Sequence, residues 1–274
     1  MKKAIVLFCL VIVVTFFYNA CYYKQTKLPK EVVKDTIIST QDTAKTLSPN
    51  LFFSDYLPTS TYNEIIKHQY YTLSYSEKDE QAEWVAYKLT PEFLKNIKRT
   101  NNFRADSSVS TGSATLADYL KSGYDRGHLA PAASMSVNNI SMSESFFMSN
   151  MSPQKPSFNR GIWKILETKV RDWVKTSDSL FVVSGPILNH PIDTIGINKV
   201  TVPRAYYKTI LRFNKGTITG IAFLMPNAKS VETIDFFVAR IDSIEMLTGI
   251  DFYRNLPFSI QTKIEANKDL KNGF

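Results

Sequence analysis

Between Tyr124 and Arg171 the chain gathers residue types that can do chemistry. Asp125, Arg126, Gly127 and His128 are consecutive. Ser149-Asn150-Met151-Ser152-Pro153-Gln154 follows, and then come Asn159, Glu167 and Arg171. Histidine titrates near neutrality and can take a proton from water. The planar fork of arginine binds phosphate. Oxygen donors suit Mg2+, which keeps several waters and takes few protein groups. A base, a cation on the phosphate and a group that stabilises the leaving oxygen are what phosphodiester hydrolysis requires.

The elements that must position these residues are legible around them. Ile162, Trp163, Leu166, Val170 and Val174 recur at helical spacing, which predicts an amphipathic helix from Asn159 to about Lys175. At about 100° per residue, Glu167 sits two turns along from Asn159 and about 80° round from it. Arg171 lies one turn further on, beside Glu167. Asn159 at the helix start can therefore face a cation whose water shell Glu167 approaches. Alternation predicts strands over His68–Tyr75, Glu83–Leu89, Leu180–Pro186, Lys199–Val202, Tyr206–Phe213 and Gly216–Leu224, the last two joined around Asn214-Lys215-Gly216. Thr90-Pro91 begins a short helix. The spacing of Val231, Ile234, Phe237, Ile241 and Ile244 predicts a long helix from Ser230 to Leu247, with Ser230 as its N-cap. The fold class is α+β, a mixed and largely antiparallel central sheet with flanking helices, in one domain over residues 51–274.

Three motifs together resemble the DNA/RNA non-specific endonuclease family, whose active site is a ββα-metal or His-Me finger motif. They are Asp-Arg-Gly-His-Leu-Ala-Pro-Ala at 125–132, Ser-Asn-Met-Ser-Pro-Gln at 149–154, and Asn-x3-Trp-x3-Glu across 159–167. The likeness runs from about His68 to Pro257 and takes in Glu83-Trp-Val-Ala-Tyr, Asn102-Phe-Arg-Ala-Asp and Ser184-Gly-Pro. The resemblance implies that His128 is the general base and that Asn159 is the single direct protein ligand of Mg2+, for which Mn2+ can substitute. It implies that Glu167 holds water in the shell of the cation, and that Arg126 and Arg171 bind phosphate or support the site. Asn150 and Asp125 become supporting polar residues, and products carry 5′-phosphates. Ser134 departs from the pattern, standing where many members carry an acid or amide, outside the core chemistry.

Composition agrees with a globular protein: 44% hydrophobic and 21% charged residues exclude a disordered chain. The opening Met1-Lys2-Lys3, followed by an apolar run from Ala4 to Tyr18, has the layout of a secretory leader over residues 1–20. Asn19-Ala20-Cys21 resembles a bacterial lipoprotein processing site, with Cys21 as the lipidated residue. A plain cleaved signal and an uncleaved anchor are the alternatives, and each puts the domain outside the cytoplasm. Residues 21–50 read as a polar linker. Cys9 leaves with the leader, so Cys21 alone remains and neither an internal disulfide nor a cysteine zinc site is available. The formal charge of +8 drops to +6 when Lys2 and Lys3 are removed, a balance that favours polyanionic partners. The partners expected are DNA and RNA, a membrane through the lipid anchor or leader, and a second copy in a homodimer.

Blander readings stand beside these. His68 and His190 lack a catalytic context and read as structural or surface residues. Asn159 alone would be an ordinary N-cap, and Glu167 with Arg171 an ion pair on a solvated face. Arg204-Ala-Tyr-Tyr-Lys208 either lines a substrate groove or belongs to an edge strand. A surface nucleic-acid-binding lipoprotein with lost catalysis is the main alternative function, and a phosphodiesterase for small esters is the third.

Overall fold

A computed structural model describes residues 53–271, 273 and 274. The expected leader, Cys21 and linker lie outside the described residues. In chain order the strands are β1 (Glu64–Lys67), β2 (Tyr71–Ser76), β3 (Gln81–Leu89), β4 (Asp125–His128), β5 (Met151–Gln154) and β6 (Ser179–Pro186). They continue as β7 (Asp193–Ile195), β8 (Val200–Val202), β9 (Ala205–Asn214), β10 (Thr217–Pro226) and β11 (Val238–Ala239). The helices are α1 (Leu116–Tyr119), α2 (Asn139–Glu144), α3 (Lys164–Val174), α4 (Ile241–Thr248) and α5 (Phe258–Glu265).

Seven strands form one antiparallel sheet in the order β1-β2-β3-β6-β9-β10-β11. The hairpin between β9 and β10 turns at Lys215 and Gly216, both with positive φ, as a two-residue turn matched to strand twist requires. Separate two-stranded ladders pair β4 with β5 and β7 with β8.

The central strands are buried on both faces, because alternate residues feed two different cores. Val85, Tyr87, Val182, Tyr206, Ile210 and Phe223 pack with Phe158, Trp163, Leu166 and Val170, which come from α3 and the chain leading into it. Trp84, Ala86, Phe181, Val183, Tyr207 and Leu211 pack instead with Ile241, Ile244, Phe252 and Ile264, from α4, α5 and their connection. The result is a helix–sheet–helix sandwich, consistent with the α+β class. Between its layers the strands read as near-continuous apolar runs.

Two element assignments need correction. Ser230–Leu247 is not one helix: a 3-10 turn at Ile234–Phe237 leads into β11, and only Ile241–Thr248 is helical. The Ser230 hydroxyl does accept from Glu232 N at 2.9 Å, but that bond closes a local turn. Phe237 joins the sheet-side core while Val238 and Ala239 pair with β10, so tertiary pairing overrides helical spacing. The stretch from Arg204 to Lys208 is no edge strand either, since β9 runs between β6 and β10.

Helix α4 ends at Gly249, whose left-handed conformation (φ 74°) lets its N–H bond the Glu245 carbonyl at 2.8 Å. The Glu245 side chain accepts from Phe252 N at 2.9 Å. Burial, opposed by that bond and reinforced by Glu265, Asp251 and Asp242, pushes its carboxyl up to about 7. A carboxyl raised in the folded state contributes stability that is complete below its unfolded pKa and is lost as pH rises through about 7. Glu245→Gln should therefore raise the melting temperature at pH 8 by about 2–4 °C, allowing for solvent screening of a half-buried group. At pH 4, below the ordinary carboxyl value of 4.5, it should leave the temperature unchanged, as differential scanning calorimetry at the two pH values will show.

Candidate active site

Strands β4 and β5 and the helical segment after them form a ββα unit. β4 carries Asp125, Arg126, Gly127 and His128, and β5 pairs with it so that Asp125 faces Gln154 and His128 faces Met151. Only glycine fits at 127: a Cβ there would lie 2.1 Å from Gln154 Cδ, inside a buried contact. After β5 the chain makes a helical turn at Pro156–Phe158, a π turn at Asn159–Trp163, and then α3. Gly161 breaks the helical path with φ −103° and ψ −117°. The regular helix expected to start at Asn159 thus starts at Lys164, and a phase angle drawn from one continuous helix does not apply. Asn159 is not an N-cap but the end of the preceding turn, its N–H bonded to the Lys155 carbonyl at 2.9 Å. Such π turns commonly occur where a side chain must be re-aimed for function.

What aims Asn159 is Asp125. Its Oδ2 accepts from Asn159 Nδ2 at 2.8 Å, and the same carboxylate takes a two-pronged bond from Arg160, at 2.8 Å from Nε and 2.6 Å from Nη2. Burial works against ionisation of Asp125. Hydrogen bonds from Arg160 and Asn159, with the charges of Arg160 and Arg126, nevertheless hold its carboxyl below the ordinary value. Because a carboxylate only accepts, the amide must turn its NH2 towards Asp125, and the carbonyl Oδ1 is left as the outward donor. A single amide oxygen is the donor type of a hard cation that keeps most of its own waters. Among the described residues no three His, Cys, Asp or Glu side chains converge as a metal cage. The residues present fit Mg2+ in the manner expected for Asn159.

His128 is buried, and its Nε2 has no hydrogen-bond partner. Its ring meets Phe103 (centroids 5.8 Å apart) and Phe146 (5.1 Å) edge to face. Arg126 lies over the Phe103 ring at 4.3 Å and Arg99 over the Phe146 ring at 4.7 Å. Burial, and then the charges of Arg99 and Arg126, lower the imidazole to about 3. The ring is therefore neutral at physiological pH, with a lone pair available for a proton.

Asn150 is wholly buried and spends its amide on the backbone that follows His128. Oδ1 accepts from Ala130 N at 2.8 Å, while Nδ2 donates to the Ala130 and Ser145 carbonyls at 2.9 and 2.8 Å. Those three bonds tie the segment after β4 to the Ser145 carbonyl. The neighbouring Ser149 donates to Asp106 Oδ2 at 2.5 Å, and His68 Nε2 lies 2.8 Å from that same oxygen. His68 is thus structural, as its sequence context suggests.

Glu167 is half-buried in the first turn of α3. Burial pushes its carboxyl to about 7, against the pull of Lys208, Arg171, Arg99 and Lys164. Arg171 Nη2 donates to Thr168 Oγ1 at 3.0 Å, and its Nη1 is buried without a partner. Arg99 and Phe146 beside His128 are residues that the sequence did not single out, and Phe103 fell in the Asn102-Phe-Arg-Ala-Asp stretch with no role assigned. They lie in irregular or short segments, where no periodicity marks them.

With Asp125→Ala, Asn159 loses the acceptor that fixes its amide, while β4 keeps its backbone pairing with β5. Cleavage should fall about 10- to 100-fold, with a raised Mg2+ requirement and a near-unchanged circular dichroism spectrum. Full activity at unaltered Mg2+ dependence would show that Asn159 needs no such clamp.

Comparison with known proteins agrees with this geometry. A family model described as DNA/RNA non-specific endonuclease matches residues 48–259. A nuclease of Nostoc sp. is 34% identical over 220 residues, covering 75% of this chain and 78% of the relative. Mitochondrial endonuclease G of Homo sapiens is 35% identical over 202 residues, or 68% of each chain. A nuclease of Serratia marcescens is 31% identical over 214 residues, covering 74% and 79%. A solved structure of the EndoG/EndoGI complex contains a chain that superposes with TM-score 0.69 at 30% identity, covering 74% of this chain and 91% of that one.

Proposed function

This chain belongs to the DNA/RNA non-specific endonuclease family and is a hydrolase of nucleic-acid phosphodiesters, and we propose that it works outside the cytoplasm as a Mg2+-dependent enzyme leaving 5′-phosphates. The observation that carries the mechanistic reading is the neutral imidazole of His128, close to the charges of Arg99 and Arg126 and on the same ββα unit as Asn159.

Arg99 and Arg126 attract the scissile phosphate, whose negative charge offsets theirs and makes His128 a stronger base when substrate is bound. The neutral imidazole of His128 takes a proton from a water, and the water oxygen attacks phosphorus. The bond from phosphorus to the 3′ oxygen breaks, that oxygen takes up a proton from solvent, and the phosphate stays on the 5′ side. Mg2+ held through Asn159 Oδ1 would supply charge neutralisation at the phosphate and leaving oxygen. Glu167 orients water when it is ionised. The match to a family described as non-specific, with no element for reading base edges beside the unit among the described residues, supports low sequence preference.

The test is incubation of the purified chain with plasmid DNA and with RNA, in Mg2+ or EDTA. Both substrates should be cut only with metal, and His128→Ala should lose about 10²- to 10⁴-fold. Salt-sensitive binding without cleavage would replace this reading by the binding-lipoprotein alternative. The acid limb of kcat/KM should fall near pH 7, since Glu167 is ionised only above about that value and His128 is neutral throughout. Glu167→Gln should remove that limb.

The apolar run from Ala4 to Tyr18, followed by Asn19-Ala20-Cys21, supports export and lipidation at Cys21. Cys21→Ser should move the protein from the membrane fraction to the soluble one. Unchanged fractionation would leave the uncleaved leader as the anchor.

A further inference from the structure

Asp106 is a buried carboxylate in the irregular segment between β3 and α1, and the hydrolysis described above makes no use of it. A charge taken out of water persists only where donors surround it. Here Oδ2 accepts from His68 Nε2 at 2.8 Å and from Ser149 Oγ at 2.5 Å, and Oδ1 accepts from Ser108 N at 2.9 Å. Burial opposes ionisation, but these bonds and the charge of His68 hold the carboxyl below its ordinary value. Because an ionised carboxylate only accepts, the proton of the His68 ring must sit on Nε2.

The donors come from separate parts of the fold. His68 stands in the turn joining β1 to β2, which its own N–H closes on the Tyr71 carbonyl at 2.9 Å. Ser149 lies two residues before β5, the second strand of the ββα unit. One carboxylate therefore ties the edge of the large sheet to the ββα unit.

The same two segments carry the rings around His128. Arg104 and Phe147 form a parallel bridge: Met148 N donates to the Arg104 carbonyl at 2.9 Å, and Arg104 N to the Phe146 carbonyl at 3.3 Å. Phe103 and Phe146, each one residue before the bridge, meet edge to face at 4.9 Å, and both meet the His128 ring edge to face. Phe147 stacks on the His68 ring at 4.9 Å and takes the Arg104 guanidinium at 3.9 Å. Asp106 and Ser149 lie two residues beyond the bridge on both segments. A single bridge lets two segments pivot; a second tie further along both fixes the angle between them.

We propose that Asp106 is a positioning residue for the hydrolysis: by holding Ser149 and His68 at once, its carboxylate fixes the Phe103–Phe146 ring pair that packs on the imidazole of His128. The proposal rests on the reading of His128 as the base. Asp106 is only 1% exposed and out of reach of substrate, so its effect on hydrolysis passes through those rings.

Ser149→Ala removes the tie between the two segments and leaves the bond from His68. Asp106→Asn leaves one acceptor oxygen, which cannot serve both Ser108 N and the two donors at Oδ2. Cleavage in Mg2+ at pH 8 should fall about 10- to 100-fold in each. The deciding readout needs no cleavage. In metal-free protein labelled with 13C-histidine, the His128 ring is followed by NMR against pH; the chain has three histidines, so its signal is readily assigned by His128→Ala. In the parent chain the ring, buried and facing Arg99 and Arg126, should stay neutral down to pH 4. Loosened rings admit water, so in both variants its midpoint should rise by about one unit or more towards the ordinary histidine value. A merely structural Asp106 would lower the melting temperature and leave that midpoint in place, and this result would overturn the proposal. Should Asp106→Asn fail to fold, Ser149→Ala decides alone. Full cleavage by His128→Ala, with a raised midpoint in Ser149→Ala, would remove the reading of His128 as base and leave the ring placement standing, so the two failures are distinguishable.

Discussion

The Asp125 carboxylate joins the two halves of the catalytic unit, and most of the site's geometry depends on it. On one side it is fixed in β4 by pairing with β5; on the other it holds Asn159 and Arg160 in the π turn. Arg160 is largely exposed (72%) while Asp125 is only 16% exposed, so its outer arm touches solvent and its inner arm stays dry. In the proposed mechanism the bond to Asn159 is the one that matters. It settles which amide atom points outwards and therefore whether the site offers a cation an oxygen or a nitrogen. Gly161 then releases the turn from the direction of α3. Asn159 can follow Asp125 while Trp163 and Leu166 follow the core.

Burial acts on the two titrating residues in the same physical way and with opposite chemical effect. For His128 it removes the proton, and the two nearby arginines push in the same direction. For Glu167 it favours the protonated acid, and four cations oppose it. Both groups have low access to water, so each depends on neighbouring charges to set its state at working pH. Arg99 appears on both accounts, lowering the imidazole and helping to ionise the carboxyl. One arginine in an irregular loop thus biases base and acid together, which local spacing around either residue cannot reveal.

The sequence made the chemistry legible where function is carried by contiguous residues. Asp125 to His128 are adjacent, and Asn159, Glu167 and Arg171 share one segment, so residue type and spacing were sufficient to gather them. The central strands were legible because two-sided burial demands long apolar runs. Three things were not. The π turn depends on one unusual backbone conformation at Gly161, which a pattern of apolar residues passes over. The stretch from Ser230 to Leu247 has real helical spacing, but the sheet takes Val238 and Ala239 as its last strand. The roles of Arg99, Phe103 and Phe146 arise from contacts between residues far apart in the chain, in segments with no periodicity of their own.

The division of the sheet into two faces explains how the fold tolerates so much buried polarity on one of them. Tyr87, Ser184 and Lys208 share the face covered by α3, next to Glu167, and each places a polar group in a region shielded from water. Such groups cost stability unless they are paired. The opposite face, covered by α4 and α5, carries Phe181, Val183, Leu211 and Ala222 against Ile241, Ile244 and Phe252, an apolar contact that offsets this cost. The same strands supply both layers, since successive residues alternate between them. A change in the register of β9 by one residue would exchange Lys208 with a neighbour from the apolar face. The full-length pairing of β9 with both β6 and β10 therefore fixes the face on which Lys208 lies.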